Sequence, residues 1–317
     1  MTTPGAFLNF AGTNVYKSNQ CSQIAEMFAN DTVKDGDYFL YTDAWNPTVI
    51  QLKYMAELLG KKIKIGGLWH AGSYDPQDFL GRLIGEERWV RNAEKSMFDC
   101  YDNNFFATDF HIDLYVDTFQ HSGMYVGYTT HKGKIVRTGW PMEYMPDTLA
   151  SYKGMPKKDI IVFPHRIAPE KQVSIFYDLK EQLPQYEFVV AQERQLTKNE
   201  YHNLLGEAKL VFSANLQETL GISWYEGALV DTIPMVPNRL SYKEMVMPEF
   251  AYPSEWTLSQ TNYESNKALV VNKIKDYIDN YEKYLPALQK QTRKLSKQFF
   301  SADVLYATIK NNGNPLP

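Results

Sequence analysis

The sequence predicts an α/β protein made of two Rossmann-like halves, and three observations carry that prediction. Short apolar runs alternate with helix-length amphipathic stretches along the whole chain. Residues 209–236 read as a complete strand, turn, helix and strand. The 317 residues, 44% of them hydrophobic, are long for one compact domain and comfortable for two. Pro and Gly crowd residues 140–156, which places the join there. The expected domains are 1–145 and 146–300, with a terminal helical segment at 301–317.

Bulk properties narrow the function classes. Net charge is −4, and the acidic excess lies in the first half, so no global basic field attracts nucleic acid and any such partner needs a local patch. The two cysteines, Cys21 and Cys100, stand far apart in no metal-ligand spacing, which favours a reduced, cytoplasmic setting over a disulfide framework. No apolar run long enough for a membrane span is legible.

The elements follow in order. Residues 6–10 read as a first strand and 20–28 as its helix; the loop between them holds Gly12, Thr13, Asn14 and Lys17. This loop lacks the G-x-G-x-x-G pattern, so no dinucleotide is expected in this half. Residues 37–41 and 62–68 read as strands, separated by a helix over 47–59 that Gly60 closes. The second of these strands ends at His70. A helix over 88–101 should turn Trp89, Ala93 and Met97 inward. A short strand at 104–107, a helix at 110–118 containing His111, and a strand at 135–138 complete the first half. The second begins with a strand at 159–163. Arg166 follows it, and Pro169-Glu170-Lys171 opens a helix with Val173, Phe176, Leu179 and Leu183 on its apolar side. Residues 186–191 read as the next strand, and Gln192-Glu193 at its end is expected to border a bound nucleotide's base. From 266 the pattern is helical, with a break expected at Pro286 and a last helix at 302–309.

The chemistry concentrates after two strands of the second half. In the turn after 209–213, the N–H groups of Thr219, Leu220 and Gly221 open a helix, where unpaired donors and the helix dipole favour a phosphate. Glu218 and Glu226 cannot bind phosphate and would accept hydrogen bonds from hydroxyls, one from a sugar ring and one from a ribose. Arg166 and Lys171 supply two cations at another strand-to-helix turn, an arrangement that neutralises a diphosphate as it leaves. A single Glu is usually a cap or a solvated residue, and a lone Lys usually a solvated one. The combination describes a nucleotide-sugar site.

Glu218, Gly221 and Glu226, followed by Pro234, resemble the E-x-x-G-x-x-x-x-E…P motif of the retaining glycosyltransferases of family 4, and Arg166 with Lys171 resembles their R…E-K motif. The segment Pro237-Asn238-Arg239-Leu240-Ser241-Tyr242, with Glu244, is similar to P-N-R-L-S-Y-P-E of the tRNA-queuosine mannosyltransferase family. The resemblance implies a GT-B fold, with two Rossmann-like domains facing a cleft, and a GDP- or UDP-sugar as co-substrate. No metal or other cofactor is expected, since no D-x-D pair stands at a strand end. The resemblance also puts Gly12, Thr13 and Asn14 in a cleft loop, makes His70 a cleft-lining residue, and adds Asn238 and Arg239 to the donor side. Thr108-Asp109-Phe110-His111 is similar to the N-S-x-[FY]-H stretch of the mannosyltransferases and places His111 on the acceptor side. The implied acceptor is a hydroxyl of a modified nucleic-acid base, in tRNA or hydroxymethylated DNA. Three departures, His70-Ala71-Gly72-Ser73 for H-E-N-Q, Thr108 for Ser and Lys243 for Pro, keep a small-molecule or glycan acceptor open. A nucleotide-sugar 2-epimerase and a non-catalytic sugar-nucleotide-binding subunit are the other readings.

Overall fold

In a computed structural model, which describes residues 9–121 and 134–313, the chain forms two compact units. The first comprises the described residues up to Phe106, those between Leu114 and Arg137, and those from Asp303 onward. The second comprises Ala107–Asp113 and Thr138–Ala302. Each is a parallel α/β unit.

In the first unit α1 (Phe10–Ala29) precedes β1 (Tyr38–Tyr41), and α2 (Thr48–Leu58) leads to β2 (Lys64–Trp69). Two helices, α3 (Phe79–Ile84) and α4 (Arg88–Cys100), lead to β3 (Asn103–Phe106); α5 (Asp109–His121), whose residues up to Asp113 belong to the second unit, and β4 (Ile135–Arg137) follow. The strands pair in parallel in chain order, for example Leu40 with Gly66 and Gly66 with Asn103. Two glycines in the middle of β2 would ordinarily weaken a strand. Here aromatic rings fill their side-chain space: a Cβ on Gly66 would lie 2.4 Å from the Tyr38 hydroxyl, and one on Gly67 2.6 Å from the Tyr101 ring.

The second unit runs α6 (Met145–Leu149), β5 (Lys158–Phe163), α7 (Val173–Gln182), β6 (Glu187–Val190), α8 (Lys198–Glu207), β7 (Ala208–Phe212) and α9 (Ile222–Leu229). It continues with β8 (Ile233–Pro237), α10 (Tyr242–Met245), β9 (Ala251–Tyr252), α11 (Gln260–Asp279) and α12 (Tyr281–Gln298); the last helix, α13 (Asp303–Lys310), belongs to the first unit. Its sheet is parallel in the order β6-β5-β7-β8-β9. Ile161, Val162, Leu210, Val211, Ile233 and Met235 are all fully buried, as expected of strands covered by helices on both faces.

Four expectations change. The first strand falls mostly outside the described residues, but Phe10 is already helical, and Gly12, Thr13, Asn14 and Lys17 lie in α1 instead of a turn. The reason is a cap: the Asn9 side chain accepts from the Gly12 N–H at 2.9 Å and starts the helix ten residues early. Trp89 is 59% exposed; α4 buries Met97 as expected, together with Val90, Glu94 and Phe98. The Pro- and Gly-rich stretch holds α6, whose Met145 and Leu149 are in the core of the second unit, and the two units change over at Arg137/Thr138. Finally, α12 continues through Pro286 and the break comes at Asn280, because buried Tyr281, Leu288, Gln291 and Leu295 anchor the helix on both sides of the proline.

Candidate active site

In the second sheet the chain moves outward from β5 to β6 and then returns across β5 to β7. The space beyond the carboxyl ends of β5 and β7 is therefore the topological switch point, where open α/β sheets hold their ligands. The two loops that leave these ends, 164–172 and 213–221, carry most of the residues singled out above. They are tied together: the Leu216 N–H donates to the Glu170 carbonyl at 2.8 Å.

Lys171 ends a short 3₁₀ turn, Pro169–Lys171, which Gln172 closes in the left-handed region with φ 53. Lys171 is buried, and its Nζ donates to the Gln217 carbonyl at 2.6 Å and lies 3.6 Å from Glu218 Oε2. Arg166 donates to the fully buried Glu170 carboxylate, so the two predicted cations differ in their partners. Beside them His165 is buried; burial and the Lys171 charge hold its imidazole well below its ordinary range, in the neutral form.

On the facing loop, Glu218 receives the Asn215 Nδ2 donor at 3.3 Å and the Leu220 N–H at 3.4 Å. Its own carbonyl accepts from Ser241 Oγ at 3.3 Å, and the Thr219 carbonyl from Thr108 Oγ1 at 2.9 Å. Gly221 then turns the chain into α9 with φ +83. A side chain there would be strained, and its Cβ would meet Trp224 Nε1 at 2.2 Å, so only Gly fits.

The other donor-side residues are placed differently. Glu226 does not join this network. It is half-buried against α8, 3.8 Å from His202 Nε2 and bonded to Tyr201, and burial pushes its carboxyl up to about 7. Asn238 is exposed. Arg239 is buried and holds protein, not a ligand: it donates to the carbonyls of Ala214 (2.6 Å), Asn215 (2.6 Å), Ser254 (2.9 Å) and Thr257 (3.2 Å). It thereby clamps the 213–221 loop to the 254–257 turn.

His111 is fully buried near the start of α5, where its N–H donates to Thr108 Oγ1. That helix is capped from a distance, since the Glu244 carboxylate accepts the Asp109 and Phe110 N–H groups at 3.2 and 2.8 Å. In the first unit His70 is exposed at the end of β2, with Nε2 2.6 Å from the Thr42 carbonyl. Gly12, Thr13 and Asn14 are exposed on the first turns of α1.

Sequence reasoning missed the supporting residues. Asn215 holds Glu218, and Tyr242 holds the Asn215 amide; Tyr242 lies in the 237–242 segment, but nothing in its spacing marks this contact. In the first unit Glu94, fully buried on α4, accepts from Trp45 Nε1 (2.8 Å), Ser73 N–H (2.7 Å) and Ser73 Oγ (2.8 Å). It fixes the loops that follow β1 and β2, including the one that begins at His70. Its surroundings, Arg91-Asn92-Ala93-Glu94-Lys95, read as a solvated face. Among the described residues no three His, Cys, Asp or Glu side chains gather as a metal would require. Nor is any described helix long and apolar enough to cross a membrane.

Two Rossmann-like units, one with a cation and a carboxylate at its switch point, define the GT-B class of glycosyltransferase folds. Solved structures bear out that class. TarM is similar over 93% of this chain (TM-score 0.59, 11% identity). A UDP-forming trehalose-phosphate synthase from Burkholderia xenovorans is similar over 96% (0.58, 13%), and Anabaena HepE in complex with UDP and glucose over 87% (0.55, 14%). The chain spans 58% of TarM's length, 78% of the synthase and 77% of HepE. No family profile and no curated protein sequence matches.

Proposed function

We propose that the chain is a retaining glycosyltransferase of the family 4 type, which transfers a sugar from a nucleotide sugar to a hydroxyl acceptor. One observation carries the reading: the Lys171 ammonium, the Glu218 carboxylate and the start of α9 at Gly221 are gathered beyond β5 and β7. Lys171 neutralises the leaving diphosphate, the first N–H groups of α9 bind its oxygens, and Glu218 accepts a sugar hydroxyl. The UDP and glucose on HepE, and the UDP in the synthase's name, support a UDP-sugar donor. In this mechanism the bond from the anomeric carbon to the diphosphate breaks and a bond to the acceptor oxygen forms on the same face. The acceptor's proton passes to the leaving diphosphate. No covalent nucleophile is needed, and Glu218 is already engaged by Asn215. His70 has a hydrogen-bonding role in orienting sugar or acceptor.

The finer reading makes the acceptor a hydroxyl on a modified nucleic-acid base, and it rests on the resemblance of 237–244. The acidic first half supports a small molecule or glycan instead. A panel of UDP- and GDP-sugars, incubated with tRNA, hydroxymethylated DNA and free glycans, tests both. Sugar transfer to a nucleoside detected by mass supports the base, and transfer to glycan alone overturns it. Nuclear magnetic resonance of the first product from an α-linked donor should show an α-linkage; a β-linkage would sink the retaining mechanism. Release of a new sugar nucleotide without acceptor would favour the epimerase.

A further inference from the structure

Glu218 Oε2 and the Lys171 ammonium form a loose ion pair at 3.6 Å. A tighter approach would engage the sugar's hydroxyl acceptor and the phosphate's counter-charge with each other. The same oxygen is held from its other side by a chain of hydrogen bonds among buried side chains. Asn215, fully buried, directs Nδ2 to Glu218 Oε2 at 3.3 Å and to the Tyr242 hydroxyl at 3.0 Å. Tyr242, 1% exposed, shares a 3.1 Å bond with Ser213 Oγ, which accepts the Asn215 N–H at 3.3 Å.

The Asn215 Oδ1 is buried with no hydrogen-bond partner, so the amide is not oriented by its oxygen. It is oriented by two acceptors, Glu218 and Tyr242, on its nitrogen. A flipped amide would set its oxygen against the Glu218 carboxylate, oxygen to oxygen. The acceptor-only carboxylate therefore fixes the amide orientation, and the Tyr242 hydroxyl accepts the second Nδ2 proton and holds the amide in place.

We propose that Asn215 and Tyr242 are positioning residues for the donor's sugar, fixing Glu218 Oε2 between the Asn215 amide and Lys171 so that the carboxylate is oriented to accept a sugar hydroxyl. The proposal rests on the donor-site reading above. It predicts that losing the Tyr242 hydroxyl harms recognition of the sugar and leaves recognition of the nucleotide diphosphate in place.

The test is calorimetry with UDP and UDP-glucose, and with GDP and GDP-mannose as the second pair, on the full chain. In Tyr242→Phe the affinity for the sugar nucleotide should fall about tenfold while that for the diphosphate stays within about twofold. Asn215→Ala should do the same, and urea midpoints report the integrity of each variant. In the double variant with Glu218→Gln, Tyr242→Phe should add nothing to the loss from Glu218→Gln alone, because both act on one group. Equal losses for diphosphate and sugar nucleotide, or losses that add to Glu218→Gln, would overturn the proposal and leave a purely structural role; so would failure of both single variants to fold. A wild type that binds neither pair would overturn the donor-site reading, and this proposal with it, whereas a wild type that binds and a Tyr242→Phe that matches it overturns the positioning alone.

Discussion

The two ends of the second sheet each enclose a lysine, Lys157 half-buried and Lys171 buried, and the two do opposite things. At the amino-terminal end, Lys157 Nζ donates to the carbonyls of Val230 (2.7 Å) and Ala208 (3.0 Å) and to Thr232 Oγ1 (3.0 Å). Val230 and Ala208 are the C-cap residues of α9 and α8, so this amine satisfies carbonyls that the helices leave open. Burial pushes Lys157 down to about 7, against the nearby Asp231 carboxylate, which favours the charged form. At the carboxyl-terminal end, Lys171 makes one short bond to the Gln217 carbonyl and stands beside a carboxylate.

The difference follows from the polarity of the βα unit. Each helix that follows a strand starts at the carboxyl end of the sheet, so N–H donors collect there, and ends at the opposite edge, where carbonyls collect. A cation among carbonyls is absorbed into the fold. One among helix N-termini adds to a site already suited to anions.

The largest expected effects test this contrast directly. Lys171→Ala should lower sugar transfer by about 10²–10³-fold, the loss of one preorganised charge, with little change in the urea midpoint. Lys157→Met should do the reverse: it strands buried carbonyls and costs about 2–4 kcal/mol of stability by urea unfolding, while the folded fraction keeps its turnover. If both variants lose the same property, the contrast between the two ends is wrong.

Arg239→Lys sharpens it next. An ammonium cannot reproduce the planar fork that holds four carbonyls, so stability and transfer should fall together, by about 1–3 kcal/mol and about tenfold. A change in transfer with unaltered stability would make Arg239 a ligand-binding residue after all.

Glu226 gives a smaller, pH-dependent effect. Its carboxyl is raised from 4.5 to about 7, so over that range the folded state keeps a proton that the unfolded chain has lost. The associated stability is fully present below pH 4.5 and disappears as pH rises through about 7. Glu226→Gln should remove this step from the curve of urea midpoint against pH, and a persistent step would assign it to another group. The smallest effect belongs to His70→Ala. An exposed imidazole that only orients substrate should cost less than the ~10²-fold of a general base, with no change in stability; complete loss of transfer would make it the base.

The second unit was largely legible in the sequence. The strands at 158–163, 208–212 and 233–237 each contain a continuous apolar run (160–163, 210–212 and 233–237), and Gly221 stands where only Gly fits a left-handed turn, so local pattern and local geometry agree. Lys171 and Glu218 were found because they flank those strand ends. The start of the chain was misread because one capping Asn outweighed a turn-like Gly. Trp89 was misplaced because amphipathic phase says nothing about a polar residue that belongs inside.

By itself the sequence determined what repeats locally: the alternation of strands and helices, the parallel sheets that this alternation demands, and the polarity that puts cations and carboxylates at strand ends. Only the tertiary structure decided which of those groups are free to act. Arg239 holds four carbonyls and Lys157 caps helix ends, Glu94 is buried to anchor two loops, and Tyr242 sets an amide that sets a carboxylate. The physical reason is that a buried polar group must find its partners wherever the fold brings them, from residues 24 or 73 positions apart, and no periodicity records such a meeting.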